Sequence, residues 1–253
     1  MTWRPLRQLF SRTPTFLLPA CVASLACLQG MALAETIGVA DDTWVREDNA
    51  DSNRNGNDEM NARTDLDGDD NDVILLRFPT AGLPAGVSDV SLNLFWQRND
   101  SSTANELKLY GLNESDPDET LWDEETVTYN NAPGLIPDGV DPTAELGGGA
   151  SFDEIQDLDV ANLTLLVASQ PYGPQEINEP YSFSSAALDA FLNADTNGEV
   201  TFLILRANES TSGNQARFWP KESGPGATLT FVPEPGTAGL VLLAGLAAVR
   251  RSR

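Results

Sequence analysis

The 253-residue sequence has no histidine, and its only two cysteines, Cys21 and Cys27, lie near the N-terminus. Ser-His-Asp and Cys-His catalytic machinery is thereby excluded, as are zinc sites built on histidine or cysteine. Bases are scarce: 15 lysines and arginines face 38 acids, for a formal net charge of −23. Like charge repels nucleic acid and anionic membrane surfaces, and no basic run is present to release counterions, so nucleic acid is not an expected partner. A long apolar run is also missing. The two most apolar stretches, Thr15–Cys27 and Thr237–Val249, would each make a helix of roughly 20 Å, against about 30 Å of bilayer hydrocarbon.

Both stretches sit in a telling context. Arg4, Arg7 and Arg12 precede the first, and Met31-Ala32-Leu33-Ala34 then places small residues three and one positions before Glu35. This pattern predicts a secretory signal peptide over residues 1–34, cleaved between Ala34 and Glu35. The alternative, a lipoprotein anchored through Cys21 or Cys27, lacks a lipid-attachment context. Cleavage removes both cysteines, so the exported chain reaches an oxidising compartment without disulfides. In residues 35–249, nine bases set against 38 acids leave −29. Solubility is the plain reading of that charge, and binding of divalent cations is the sharper one.

At the other end, Pro233-Glu234-Pro235 precedes the apolar stretch, and Arg250-Arg251 follow it. This order resembles the PEP-CTERM sorting signal of Gram-negative exopolysaccharide producers. The resemblance implies that residues 232–253 are an address, with a short transmembrane helix held transiently in the inner membrane and its arginines in the cytoplasm. Its partners would be the secretion machinery and exosortase, a membrane protease that cuts near Pro-Glu-Pro, and the destination would be the cell surface or beyond. An ordinary anchor that is never cut is the alternative.

The body, residues 35–231, has the length of one domain. Its pattern has a period of two. Val90, Leu92, Leu94 and Trp96 alternate with Ser91, Asn93, Phe95 and Gln97, and Ile74, Leu76 and Phe78 interleave with Val73, Leu75 and Arg77. Val200–Leu205 is apolar on both faces and reads as a central strand. Turn chemistry separates these runs, as in Gly82-Leu83-Pro84-Ala85-Gly86. Ser185–Asn193 alone suggests a short helix, capped by Ser184 or Ser185. The expected fold is all-β, an antiparallel β-sandwich with one short helix. Gly134–Asp157, rich in Gly, Pro and Asp, is expected to be a long surface loop.

Several strands carry a recognisable order of residues. Ala40-Asp41-Asp42-Thr43-Trp44-Val45, Leu75-Leu76-Arg77-Phe78 with Gly82-Leu83-Pro84, the stretch from Trp122 to Pro133 (WDEETVTYNNAP), and Phe218 with Lys221-Glu222, Pro225 and Leu229 follow one another. Together they resemble the DNRLRE family of carbohydrate-binding jelly-roll modules, with Tyr129 in place of a tryptophan and Lys221 in place of a small residue. The resemblance implies a jelly roll whose relatives include binders of polysaccharide, alginate among them.

The residue types point to binding rather than catalysis. Paired carboxylates are the one catalytic option left, so a carboxylate-based glycan-degrading enzyme is the alternative to a non-catalytic polysaccharide-binding or structural matrix protein. Sugar rings stack on aromatic faces. Trp96 lies on the apolar phase of its strand, and Trp122 and Tyr129 occupy framework positions of the resemblance, so core packing is expected of those three. Trp44, Tyr172 and Trp219 lie beside loops or polar residues and are the candidates for an exposed platform. Asp65, Asp67, Asp69 and Asp70 crowd around Gly68 and offer oxygen ligands for calcium, with a solvated hairpin loop as the alternative; Asp41 and Asp42 are a second place to look. Arg46, Arg54 and Arg63 are spread along an acidic stretch, which predicts a neutral glycan, or an acidic one only when calcium bridges it.

Removal of the tail is directly measurable. Intact mass of the protein recovered from the surface of its native host should show loss of the residues beyond about Pro235. A surface-localised chain that keeps Arg253 would overturn the sorting assignment.

Overall fold

The computed structural model describes residues 33–63, 71–84, 86–99, 105–136, 158–172, 176–206 and 215–234. The signal segment before residue 33, the aspartates at 65–70, most of the 134–157 loop and the apolar stretch 237–249 lie outside the described residues. Among those described, no helix is long and apolar enough to cross a membrane.

The described residues form eleven strands and one α-helix: β1 (Glu35–Gly38), β2 (Asp41–Arg46), β3 (Met60–Ala62), β4 (Asp72–Pro79), β5 (Val87–Asn99), β6 (Asn105–Leu112), β7 (Leu163–Tyr172), β8 (Pro180–Phe183), α1 (Ala186–Ala194), β9 (Glu199–Arg206), β10 (Ala216–Phe218) and β11 (Thr228–Pro233). They form two sheets whose pairings are all antiparallel. The first runs β1-β11-β5-β10-β3, with β8 also paired to β5, and the second runs β2-β4-β9-β6-β7. Val90, Leu92, Leu94 and Trp96 of β5 and Phe231 of β11 pack in one core with Ile74, Leu76, Phe78, Phe202 and Ile204 of the second sheet. The molecule is therefore a β-sandwich, as the alternation predicts.

The second sheet is apolar on its other side as well. Val73 and Leu75 of β4 and Leu203 and Leu205 of β9 join a separate cluster with Trp122, Val127, Tyr129, Ala132 and Leu135. Those last residues come from the connection between β6 and β7, which lies over the sheet as a cover. This double burial accounts for the run of β9 that is apolar on both faces save for Thr201, in a strand that pairs with β4 on one edge and β6 on the other. Trp96, Trp122 and Tyr129 are all buried, as expected.

The helix begins where the sequence marks it. Ser185 Oγ accepts a hydrogen bond from Leu188 N at 3.0 Å, and Leu188 and Leu192 are buried. At the C-terminal edge, β11 extends past the expected domain end at residue 231. Pro233 pairs with Val87, and Glu234 N donates to Gly86 O at 3.1 Å. The first two residues of the Pro-Glu-Pro motif thus continue the sheet.

Leu203→Ala, which opens a cavity in the outer cluster, should cost about 2–5 kcal/mol. Ser185→Ala, which removes only the cap, should cost about 1 kcal/mol. Chemical denaturation of both variants checks the ranking, and equal costs would contradict the two-sided burial of β9.

Candidate functional site

Three aromatics are expected to be exposed, and the fold separates them. Trp44 is only 4% exposed. It lies on the face of β2 turned toward the inter-sheet core, with the Arg54 guanidinium 5.1 Å from its ring centroid. Tyr172 is 3% exposed and packs on Trp96 and Tyr181, with ring centroids 5.3 and 6.1 Å away. Burial pushes its hydroxyl up to about 12. Neither offers a free face, because each falls on the inward phase of its strand. Trp219 differs: it is half-buried, one position past the inward-facing Phe218.

Strand register gives Trp219 its neighbours. Phe218 is opposite Trp96, and Trp219 N donates to Phe95 O at 2.9 Å, so Trp219 and Phe95 are cross-strand partners on the outward face of the first sheet. A bulge then sets Gln97 and Arg98 against Arg217, which also faces Asn61 of β3. Arg217 Nη1 donates to both carboxylate oxygens of Glu59, at 2.7 and 2.6 Å, and Asn61 Nδ2 reaches Glu59 Oε1 at 3.4 Å. Asn61 Oδ1 and Gln97 Oε1 have no hydrogen-bond partner among the described residues. The outward face thus carries the half-buried Phe95 and Trp219 beside the exposed Arg98, whereas Asn61 is buried and the orphan oxygens of Asn61 and Gln97 are shielded from solvent. Phe95 had a visible signal, as an aromatic on the polar phase of β5. Asn61, Glu59 and Arg217 had none, because only remote pairing brings them there.

The arginines are also redistributed. The sequence spreads Arg46, Arg54 and Arg63 along an acidic stretch, yet the fold gathers bases from distant segments. Arg98 and Arg217 are register partners, Arg63 follows Ala62, which pairs with Ala216, and Arg206 ends β9 opposite Leu107. Strand pairing thus brings Arg63, Arg98 and Arg217 onto neighbouring strands, whereas Arg206 is 1% exposed and Arg217 is held by Glu59.

Carboxylates gather elsewhere. Oxygens of Asp42, Glu124 and Glu222 lie within 4.8 Å of one another, a set that could hold a metal ion. Lys221 occupies it. Its ammonium reaches Asp42 Oδ1 at 3.5 Å, Glu222 Oε1 at 2.8 Å and Glu124 Oε2, and Lys221 N donates to Asp42 Oδ2 at 2.9 Å. Asp42 N completes the set by donating to Glu124 Oε2 at 2.9 Å. Burial pushes the Asp42 carboxyl up to about 7, while bonds to Glu124 and Glu222 hold the Lys221 ammonium above its ordinary range despite burial. The substitution of Lys221 for a small residue, read from the resemblance, supplies the counter-charge. Asp65, Asp67, Asp69 and Asp70 lie outside the described residues.

A second buried carboxyl, Glu119, is likewise pushed up to about 7 by burial, with Asp195 and Glu114 adding to the effect. Asp42 and Glu119 are each 1% exposed, so neither presents its carboxyl to a substrate in this conformation.

The sign of the pH effect follows. Ordinary values are 3.8 for Asp42 and 4.5 for Glu119, so between about pH 4.5 and 7 the folded chain holds protons that the unfolded chain has released. Stability should fall as pH rises through that window. In chelator, Glu119→Gln should show a smaller loss of melting temperature from pH 5 to pH 8 than the parent chain. An equal slope in the two proteins would remove Glu119 from the effect.

The sequence pattern of carbohydrate-binding module family 96 matches residues 34–162, just over half of the chain. None of the curated proteins matches the chain.

Proposed function

Because the chain belongs to carbohydrate-binding module family 96, we propose that it is a non-catalytic polysaccharide-binding module of jelly-roll type, exported to serve in the extracellular matrix or at the cell surface. One observation carries the choice of site: the pairing of Trp219 with Phe95 on the outward face, beside Gln97, Arg98, Arg217 and Asn61. A pyranose ring would lie on the aromatic pair, and its hydroxyls would meet the polar side chains at the rim, Arg98 foremost, the mixed apolar and polar lining that ligand sites use. Arg98, exposed beside the Arg217–Glu59 pair, would receive a carboxylate if the glycan is acidic. This widens the ligand class from neutral glycans to acidic ones without calcium. Trp44 and Tyr172 would support the module from within its core.

The family suggests a module without a reaction of its own, and the carboxylate-based enzyme remains the alternative. The two carboxyls with raised pKa values are buried, which disfavours a general-acid role. Export through a signal ending at Ala34, and sorting by exosortase at Pro233-Glu234-Pro235 with Arg250 and Arg251, complete the proposal. Calcium at Asp65, Asp67, Asp69 and Asp70 belongs to the same reading.

Affinity electrophoresis against alginate and neutral glucans, in chelator and in calcium, tests the binding claim. Trp219→Ala should weaken retention by about 1–3 kcal/mol, or roughly 5- to 150-fold, by analogy with loss of one aromatic that stacks on a nucleobase. Phe95→Ala should act in the same direction, and Tyr172→Phe should leave retention unchanged. Retention unaltered by loss of both Trp219 and Phe95 would move the site off this face. Release of reducing or unsaturated ends from any of these polymers would favour the enzyme.

A further inference from the structure

The turn that follows β10 carries Trp219 and, two residues on, Lys221. Inside the turn, Ser223 N and Gly224 N both donate to Pro220 O, at 3.3 and 2.9 Å. This fold-back sets Gly224 against the indole: a Cβ added to Gly224 would lie 2.5 Å from Trp219 Cβ and Cγ, so no side chain fits there. Gly226, at φ +65°, then returns the chain past Lys221, where an added Cβ would lie 3.0 Å from Lys221 Cα. The Trp219 ring is seated by the backbone of its own turn.

What holds the turn to the body is charge. Residues 222–225 are exposed, so apolar burial does not fix them. Ser223 Oγ donates to Asp58 Oδ1 at 3.1 Å at the surface, and Lys221 makes the inner ties. Its N donates to Asp42 Oδ2 at 2.9 Å, and its ammonium meets Asp42 Oδ1, Glu124 Oε2 and Glu222 Oε1. The Asp42 side chain is fully buried on β2, and the Glu124 main chain is fixed by Asn53 Nδ2, which donates to Glu124 O at 2.8 Å. Oxygens of the three acids lie within 4.8 Å of one another, the spacing of ligands around a cation whose bonds are about 2.3–2.6 Å long. A cation is already seated there, the Lys221 ammonium. Without it three converging negative charges would repel, and the exposed Glu222, on the turn itself, is the one placed to move away.

We propose that the Lys221 ammonium is a built-in cation that positions Trp219. It ties the turn to β2 and to the connection after β6 as a bound divalent ion would, so that presentation of the ring does not depend on added calcium. Lys221 acts through the ring, as a positioning residue. The path from charge to ring is short: Lys221 anchors the turn, the turn places Gly224, and Gly224 backs the indole. The proposal rests on the polysaccharide reading for the role of Trp219, whereas the seating of the turn is measurable with no glycan present.

Hydrogen exchange read by mass spectrometry on the purified protein reports the turn directly, through the amides of Lys221, Ser223 and Gly224. Lys221→Met keeps the length of the side chain and drops its charge. Exchange over residues 219–226 should quicken at least about tenfold, while β9 exchanges as in the parent, which also shows that the variant is folded. Lys221→Ser vacates the place of the ammonium. In chelator its turn should exchange as fast as that of Lys221→Met, and millimolar calcium should slow it again where sodium chloride of equal ionic strength does not. Adding Asp42→Asn to Lys221→Ser should abolish the calcium effect, and the parent turn should not respond to calcium. Affinity electrophoresis on a polymer that the parent retains should follow the same order. Gly224→Ala, which crowds the indole and leaves the charges alone, should lower retention alike in chelator and in calcium. Parental exchange in Lys221→Met, a turn in Lys221→Ser that calcium leaves fast, or parental retention in Gly224→Ala overturns the proposal. If exchange follows the expected order and the parent retains no polymer, the polysaccharide reading fails and the seating of the turn stands.

Discussion

The sheet β2-β4-β9-β6-β7 has to be covered twice, and most of the structure follows from that constraint. Its strands present apolar side chains alternately to two clusters, Ile74, Leu76, Phe202 and Ile204 on one side and Val73, Leu75, Leu203 and Leu205 on the other. The first sheet covers the inner side, and the long connection after β6 covers the outer one. Within that cover, Trp122 anchors its indole N–H on Thr201, the one polar interruption of β9. The same hydroxyl then fixes Glu119 O, so the acidic turn is positioned as a by-product of apolar burial. Tertiary packing here places the charges.

That order of cause matters in a body so rich in acids. Most of its described carboxylates lie at the surface, where solvent and salt screen them. The few taken inside are treated in two ways. Asp42 is accompanied by Lys221 from a distant turn, with Glu124 and Glu222 completing the group. Glu119 is accompanied only by amides, hydroxyls and other acids. The contrast separates a structural ion cluster from one that lacks an internal counter-charge. Strand pairing also sets Arg63, Arg98 and Arg217, from three separate strand segments, on neighbouring strands, with Glu59 answering Arg217.

Membership of a carbohydrate-binding family sits well with this layout. The matched residues 34–162 hold β1 to β6, yet β4 and β6 meet only through β9, and β5 is flanked by β8, β10 and β11. The matched segment alone would leave both sheets open, and strands that run to residue 233 complete them. Its outward face is finished by β10 and the residue that follows it, which is how Trp219 comes to stand opposite Phe95.

Local periodicity in the sequence determined much of this. The missing histidine and late cysteine removed whole classes of chemistry, the alternation in Val90–Gln97 marked a half-buried strand, the unbroken run at Val200–Leu205 marked a central one, and Ser185 marked its helix. Each signal lies within a few residues of its cause. What only the tertiary structure decided is which remote segments face one another. Trp44 and Tyr172 read as loop-side aromatics, yet they turned inward because strand phase is set by pairing with partners far along the chain. The arginines of three separate segments met, and Glu114, Glu119 and Asp195 closed around Asn197, for the same reason. Register between distant strands is a property of the whole packed core, and no local pattern encodes it.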